Sequence, residues 1–111
     1  MGFDLNKEKL EIFVDIDDTI CLTDGMNYEA SKPITENIRK VNKLYDEGHY
    51  IVYWTARGMK SGLDWTELTT RQLKEWGAKH HELRLTKPSY DIFIDDKVLN
   101  TRDWEKGKWI K

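Results

Sequence analysis

The sequence has little cysteine, little proline and no long apolar stretch, and each shortage excludes a class of protein. Its 111 residues contain one cysteine, Cys21, and two prolines. A single cysteine cannot form a disulfide within the chain, which is typical of a protein from a reducing compartment. No apolar run approaches the roughly 20 residues that cross a bilayer, and the first residues lack the basic and apolar regions of a secretory signal. We therefore expect a cytoplasmic protein that does not contact a membrane.

Neither sign of charge dominates the sequence. The chain has 18 basic and 20 acidic residues, a formal net charge of −2, and the two signs are interspersed. A nucleic-acid-binding surface needs a concentration of basic residues, so the composition indicates no nucleic-acid partner. The length suits one domain with one core, and no repeat or linker divides it. We therefore treat residues 1–111 as a single domain.

Strand-like and helix-like segments alternate along the chain. Apolar runs at residues 11–16, 49–54 and 91–94 predict buried strands, and residues 81–85 are a further candidate. A helix is expected from Pro33 to Gly48, and a second one from a capping Asp64 to Gly77. Such alternation predicts an α/β fold with a single doubly wound, mainly parallel sheet and helices on both faces.

Acidic residues follow two of the expected strands. Asp15 and Asp17 are two residues apart on extended chain, so their side chains point the same way, and Asp95 and Asp96 follow residues 91–94. Ligand sites in open α/β sheets lie at the carboxyl ends of the strands. Close carboxylates repel unless a cation lies between them, and oxygen ligands favour Mg²⁺. The alternative is an acidic turn in which Asp18 or Thr19 caps a loop.

The order of these residues resembles the four motifs of the haloacid dehalogenase (HAD) superfamily of phosphohydrolases. The matching residues are Asp15-Ile16-Asp17-Asp18-Thr19, then Thr55, then Lys87, then Asp95-Asp96. The segments 53–58 and 87–91 are similar to those of small phosphatases associated with capsule or surface-polysaccharide genes. The resemblance implies an HAD-like Rossmannoid fold and Mg²⁺-dependent hydrolysis of a phosphomonoester. The implied substrate is a sugar phosphate or another small phosphorylated polyol or metabolite.

The resemblance also implies a role for each matching residue. Asp15 would take the phosphoryl group as an aspartyl-phosphate, and Asp17 would act as general acid and then general base. Thr55, the backbone N–H of Ala56, and Lys87 would hold the phosphoryl oxygens. Mg²⁺ would bind the Asp15 carboxylate, the Asp17 carbonyl and Asp95, and Asp96 would reach the metal through water or orient Lys87.

Three further expectations concern the surroundings of the site. Arg57, in the loop after Thr55, could bind a second anionic group of the substrate, and a surface ion pair is the alternative. Residues 20–32 and 56–86 leave no room for a cap domain, so the site is open or a neighbouring subunit closes it, and a homo-oligomer is compatible with this. Only three residues, about 10 Å of extended chain, separate Lys87 from residues 91–94. Either Lys87 lies on a descending segment, or residues 81–85 are not a standard parallel strand.

Two other classes of protein remain as alternatives. Receiver domains of bacterial signalling are phosphorylated on aspartate and share an acidic pair, a Thr and a Lys. Their phosphoacceptor follows a middle strand and precedes both the Thr and the Lys, and here no acid at a strand end lies between Asp17 and Thr55. A non-catalytic HAD-like scaffold for binding is the other alternative, although it would not need Asp15, Asp17, Thr55 and Asp95 together.

Overall fold

A computed structural model describes residues 9–107. Its elements in chain order are β1 Glu11–Val14, β2 Cys21–Leu22, a 3₁₀ turn Tyr28–Ala30, β3 Lys32–Pro33, α1 Thr35–Asp46, β4 Tyr50–Trp54, α2 Thr66–Glu75, β5 Glu82–Arg84 and α3 Thr101–Glu105. None of the helices in this part of the chain has the length and apolar character needed to cross a bilayer.

A parallel sheet in the order β1-β4-β5 organises the fold. Glu11 pairs with Tyr50 and Val14 with Tyr53 in the first ladder, and Val52 pairs with Glu82 in the second. The predicted α/β fold with a parallel sheet is confirmed, and no cap domain is evident within residues 9–107. Because β5 is parallel to β4, the alternative that residues 81–85 are not a standard strand is wrong.

The core lies on one face of the sheet. Ile51 and Tyr53, alternate residues of β4, are fully buried there. They share a cluster with residues from all three helices: Ile38, Val41 and Leu44 of α1, Leu73 of α2 and Trp104 of α3. On the opposite face Phe13 meets Trp54 edge to face and remains 41% exposed. Within the described residues the helices therefore cover one face, whereas the sequence predicted both.

Crossover handedness explains this difference. The two crossovers, β1 to β4 and β4 to β5, move in the same direction across the sheet, and right-handed crossovers of that kind place both helices on one side. A strand from residues 91–94 on the far edge of β1 would reverse the direction. These residues form no strand, and Ile92 and Ile94 are 77% and 92% exposed. The prediction of a buried strand at residues 91–94 is therefore wrong for this structure.

The helix boundaries differ from the expected ones by small steps. Pro33 lies in the β2-β3 ribbon rather than at the start of α1. Trp65, not Asp64, is the N-cap residue of α2, although the Asp64 carboxylate still accepts a hydrogen bond from the Thr66 N–H. Gly48 and Gly77 follow α1 and α2 with φ of +96° and +67°, as expected for residues that terminate helices.

The loop after β4 depends on the backbone of Gly58. Its φ is +86°, and a Cβ built there would lie 2.2 Å from the Leu63 carbonyl oxygen. Gly62 also has a positive φ, +75°, but a Cβ there would have no neighbour within 4 Å. The two glycines therefore share one conformational requirement and differ in the space around them.

Substituting these two glycines tests the packing of this loop. Gly58→Ala should lower the free energy of unfolding by more than about 2 kcal/mol, because it adds a clash with backbone to the cost of a left-handed residue. Gly62→Ala should cost about 1 kcal/mol, from the backbone conformation alone. Urea unfolding followed by tryptophan fluorescence measures both. Equal losses for the two variants would contradict the close approach of Leu63 to Gly58.

Candidate active site

A tight turn after β1 directs the two acids of the first motif into one cleft. The Ile16 carbonyl accepts hydrogen bonds from the N–H groups of Thr19 and Ile20, at 3.1 and 2.9 Å. Asp18 has a φ of +64°, a left-handed conformation that Asp adopts more readily than most residues. The chain thereby reverses direction immediately after Asp17. Asp15 and Asp17 both line a cleft of about 300 Å³ at the carboxyl ends of the strands.

Asp15 lies between a backbone donor and a lysine. Its Oδ1 accepts a hydrogen bond from the Ile16 N–H at 2.9 Å, and its Oδ2 lies 3.3 Å from Lys87 Nζ. Burial raises the pKa of Asp15, and the charge of Lys87 opposes that rise. The carboxylate is the more open of the two acids, with 37% of its side chain exposed. It is therefore the more accessible of the two acids to a ligand in the cleft.

Asp17, in contrast, is held by a buried arginine. Arg57 Nη2 donates to Asp17 Oδ1 at 2.8 Å, and Nε donates to Oδ2 at 3.0 Å. The Thr23 hydroxyl adds a hydrogen bond to Oδ1 at 2.6 Å. Burial disfavours the ionised form of Asp17, but the bonds from Arg57 and Thr23 outweigh it and hold its pKa below the usual value.

The Arg57 side chain is completely buried. Its Nη1 donates to Gln72 Oε1 at 2.6 Å and to Thr69 Oγ1 at 3.1 Å, and its guanidinium lies 4.7 Å from the centre of the Tyr28 ring. The guanidinium is thus bound to protein groups on several sides. It has no free edge for a second anionic group of a substrate, so we replace that hypothesis, and its surface ion-pair alternative, with a role in holding Asp17.

The expected phosphate ligands lie on the same cleft. Thr55, Ala56 and Lys87 line it together with Asp15 and Asp17. Thr55 is 1% exposed, and its hydroxyl accepts a hydrogen bond from the Arg57 N–H at 3.2 Å. The Lys87 N–H donates to the Thr55 carbonyl at 3.1 Å, which brings the lysine back over the end of β4. The structure therefore brings together these five residues and Arg57, which also lines the cleft, so six of the site residues that the sequence singled out lie there.

The second acidic pair is elsewhere. Asp95 and Asp96 are exposed and do not line the cleft, and the part of the chain from residue 9 to 107 contains no group of three His, Cys, Asp or Glu side chains able to hold a metal. The expected Mg²⁺ site with Asp15, Asp17 and Asp95 is therefore not assembled within one copy. The reason is the short length of chain after Lys87. The Lys87 N–H is hydrogen-bonded to the Thr55 carbonyl beyond the end of β4. The residues between Lys87 and Asp95 are too few for the chain to go back to the start of β1 and then run alongside it.

Several residues of the site were not found by sequence reasoning. Thr23 and Ser31 of the β2-β3 region contact Asp17 or Arg57, and Thr69 and Gln72 contact Arg57 from α2. One signal was present: Thr69 and Gln72 are polar residues three apart on the α2 face that also carries the buried Leu73. Buried polar residues at that spacing indicate a partner that needs hydrogen bonds.

The environment of the single cysteine does not favour nucleophilic chemistry. Cys21 is fully buried, and burial raises the pKa of its thiol to about 11. At neutral pH the sulfur is therefore protonated, and a thiol in that state is a poor nucleophile. This agrees with a packing role beside Asp17.

Replacement of Arg57 tests how strongly the site depends on it. Arg57→Met should lower the free energy of unfolding by about 3 kcal/mol, because Asp17 and the polar groups of α2 would lose a buried partner. Arg39→Met is the matched control, since Arg39 pairs with Glu36 while 72% of its side chain is exposed, and it should cost less than about 1 kcal/mol. Urea unfolding measures both variants. Repeating Arg57→Met in an Asp17→Asn background measures how much of the loss comes from the pairing of Arg57 with Asp17. A similar loss for Arg57→Met and Arg39→Met would contradict this dependence.

Comparisons with known proteins support the fold and leave the activity open. No family model and no curated protein matches the chain. Among solved structures, the chain is similar to a crystal structure from Vibrio cholerae that is described only as an MCSG target. The two are 21% identical, the match covers 86% of each chain, and the TM-score is 0.78. At this level of identity the likeness shows a shared fold, and the printed description states no activity.

Proposed function

We propose that this protein is an HAD-type phosphatase that hydrolyses a small phosphomonoester through an aspartyl-phosphate on Asp15. The observation that carries the proposal is the convergence of Asp15, Asp17, Thr55 and Lys87 on one cleft, in the order that the superfamily motifs have along the chain. A sugar phosphate or another small phosphorylated metabolite fits the resemblance and a cleft of about 300 Å³. The assignment to the HAD type also depends on the sequence motifs.

The first half-reaction transfers the phosphoryl group to the protein. An oxygen of the Asp15 carboxylate attacks phosphorus, the bond from phosphorus to the ester oxygen breaks, and Asp17 gives its proton to the leaving alkoxide. Lys87 and the Thr55 loop would hold the phosphoryl oxygens, and the position of Lys87 Nζ, 3.3 Å from the Asp15 carboxylate, supports this. A cation beside the nucleophile favours its ionised form and offsets the repulsion between carboxylate and phosphate.

The second half-reaction restores the carboxylate. Asp17, now ionised, takes a proton from water, the hydroxide attacks phosphorus, and the bond from phosphorus to the Asp15 oxygen breaks, which releases phosphate. Arg57 favours the ionised Asp17 needed here, but it opposes the protonated Asp17 needed for the first step. A phosphate dianion in the cleft raises the pKa of Asp17 by like-charge repulsion, so substrate binding and the first step are linked.

Mg²⁺ is part of the proposal. In the ligand set that the resemblance implies, the Asp15 carboxylate and the backbone carbonyl of Asp17 would hold the ion; Asp15 and Asp17 line the cleft, and the third expected ligand, Asp95, lies outside it. When bound, the ion would supply positive charge that neutralises the phosphoryl oxygens. Mg²⁺ prefers six oxygen ligands and takes several of them from water and substrate phosphate. One copy therefore leaves unfilled only the position expected for Asp95.

Phosphatase activity and its metal dependence can be measured directly. With p-nitrophenyl phosphate and a panel of sugar phosphates, we expect turnover in Mg²⁺ and its loss in excess chelator, because Lys87 alone would then have to offset the repulsion between Asp15 and the phosphate. Equal turnover in both conditions would remove the metal from the proposal. Stoichiometric phosphorylation by a small phosphodonor without turnover would instead favour a receiver-like switch, and binding without either reaction would favour a scaffold.

Substitutions in the first motif separate the roles of the acids. Asp15→Asn should abolish turnover, because an amide cannot form the phosphoenzyme, and Asp17→Asn should slow it by about 10²–10⁴-fold, the usual contribution of general acid–base catalysis. Asp18→Asn is the matched control, since Asn also tolerates the left-handed conformation at this position, and it should leave kcat close to wild type. Near-normal turnover by Asp15→Asn would contradict the assignment of the nucleophile.

A further inference from the structure

The outer edge of β1 is open in the part of the chain that the structure describes. β4 lies on one side of β1, and β1 ends the sheet on the other. Phe13 is 41% exposed and Ile12 is half-buried, unlike the fully buried Ile51 and Val52 at the centre of the sheet. An edge strand presents backbone N–H and C=O groups that can pair with another strand. The sheet is therefore open to an additional strand beside the nucleophile.

A short apolar segment of the same chain is left largely exposed by the residues that the structure describes. Ile92, Phe93 and Ile94 are 77%, 38% and 92% exposed. Exposure of three consecutive large apolar side chains is uncommon on a monomeric protein surface and marks an interaction site. The β-branched and aromatic composition of this segment favours a strand. Asp95 follows it directly, as Asp15 follows β1.

The segment cannot add to its own β1 in parallel with Asp95 beside Asp15. In that register Asp91 would lie level with Glu11, about 13 Å along the strand from the level of Asp15. The Lys87 N–H is hydrogen-bonded to the Thr55 carbonyl after β4. A strand added to the outer edge of β1 would lie two strand spacings, about 10 Å, from β4. The path from Lys87 to Asp91 is thus about 16 Å or more, whereas four peptide units span at most about 14 Å.

We propose that residues 91–94 of one copy of this chain add, parallel, to the outer edge of β1 of a second copy, and that the exchange is reciprocal. This two-fold arrangement pairs both open edges and buries both apolar segments. It also places Asp95 of one copy beside Asp15 and Asp17 of the other, where it would supply the third protein ligand expected for Mg²⁺. The role of Asp95 rests on the proposed phosphatase function; the strand exchange does not.

Mixing two inactive variants tests the placement of Asp95. Asp15→Asn and Asp95→Asn should each be inactive alone. In a mixed dimer, the Asp95→Asn copy contributes an intact β1 turn and the Asp15→Asn copy contributes an intact Asp95 to the same site. Random pairing after co-refolding should therefore restore about one quarter of the wild-type rate. The matched control is a mixture of Asp15→Asn with Asp17→Asn, in which every β1 turn is altered and no rate should return.

A disulfide tests the exchange without any reference to activity. In the proposed register Phe93 lies beside Phe13, at the spacing of about 4.8 Å between neighbouring strands, which lies within the range that a disulfide bridges. A Cys21→Ala chain that carries both Phe13→Cys and Phe93→Cys should oxidise to a covalent dimer on a non-reducing gel. An internal disulfide within a monomer, or no disulfide, would overturn the exchange.

Light scattering on the unmodified protein provides the third measurement, since it does not depend on how the variants fold. We expect a mass twice the 13.2 kDa of one chain, and Ile92→Glu/Ile94→Glu should halve it. A monomeric wild-type protein would overturn the proposal. A dimer with the disulfide but without restored activity in the mixture would overturn the placement of Asp95. If the wild-type protein shows no phosphatase activity, the proposed function fails. The disulfide and the measured mass still show whether the two copies exchange residues 91–94.

Discussion

The ion pair between Arg57 and Asp17 is the interaction on which the rest of the site depends. A completely buried guanidinium is costly unless its donors are satisfied, and here Asp17, Thr69 and Gln72 accept from it. These partners come from the turn after β1 and from α2, while Arg57 itself follows β4. One charged group therefore fixes how the loop, the turn and the helix lie relative to one another. The position of Asp17 is a consequence of packing as much as of its own turn.

The chemistry of the two acids depends on what else occupies the cleft. In the protein alone, burial raises the pKa of Asp15, and Arg57 with Thr23 keeps that of Asp17 low. A nucleophile needs the ionised form and a proton donor needs the protonated form, so these directions are opposite to the proposed roles. In the proposed reaction, a metal cation beside Asp15 and a phosphate beside Asp17 would shift each pKa in the required direction. The proposed catalysis is therefore a property of the assembled site with substrate, and not of the carboxylates by themselves.

Local patterns in the sequence were sufficient to predict β1, β4 and the two long helices. Apolar runs indicate the strands and glycines mark the helix ends, and both signals depend only on residues that are close in sequence. The order of Asp15, Thr55 and Lys87 was also sufficient to bring these residues to one edge, since parallel strands end together. Residues 91–94 differ, because an apolar run indicates a strand but contains no information about whether the chain can reach a free edge. The partners of Arg57 were missed for a similar reason: they are distant in sequence and are related only through the folded chain.

The contact between α3 and the turn after β1 has a consequence for how the protein is made. The Thr101 hydroxyl lies 2.8 Å from that of Thr19, and Arg102 donates to the Asp18 carbonyl at 2.8 Å. These pairs are separated by more than eighty positions along the chain, so forming them carries the loop-closure entropy of a long segment. During synthesis, the turn that holds Asp15 and Asp17 is translated early but gains these contacts only after residues 101–105 have left the ribosome. Until then a nascent chain has the first motif without the helix that braces it, and we expect binding competence to appear late in translation.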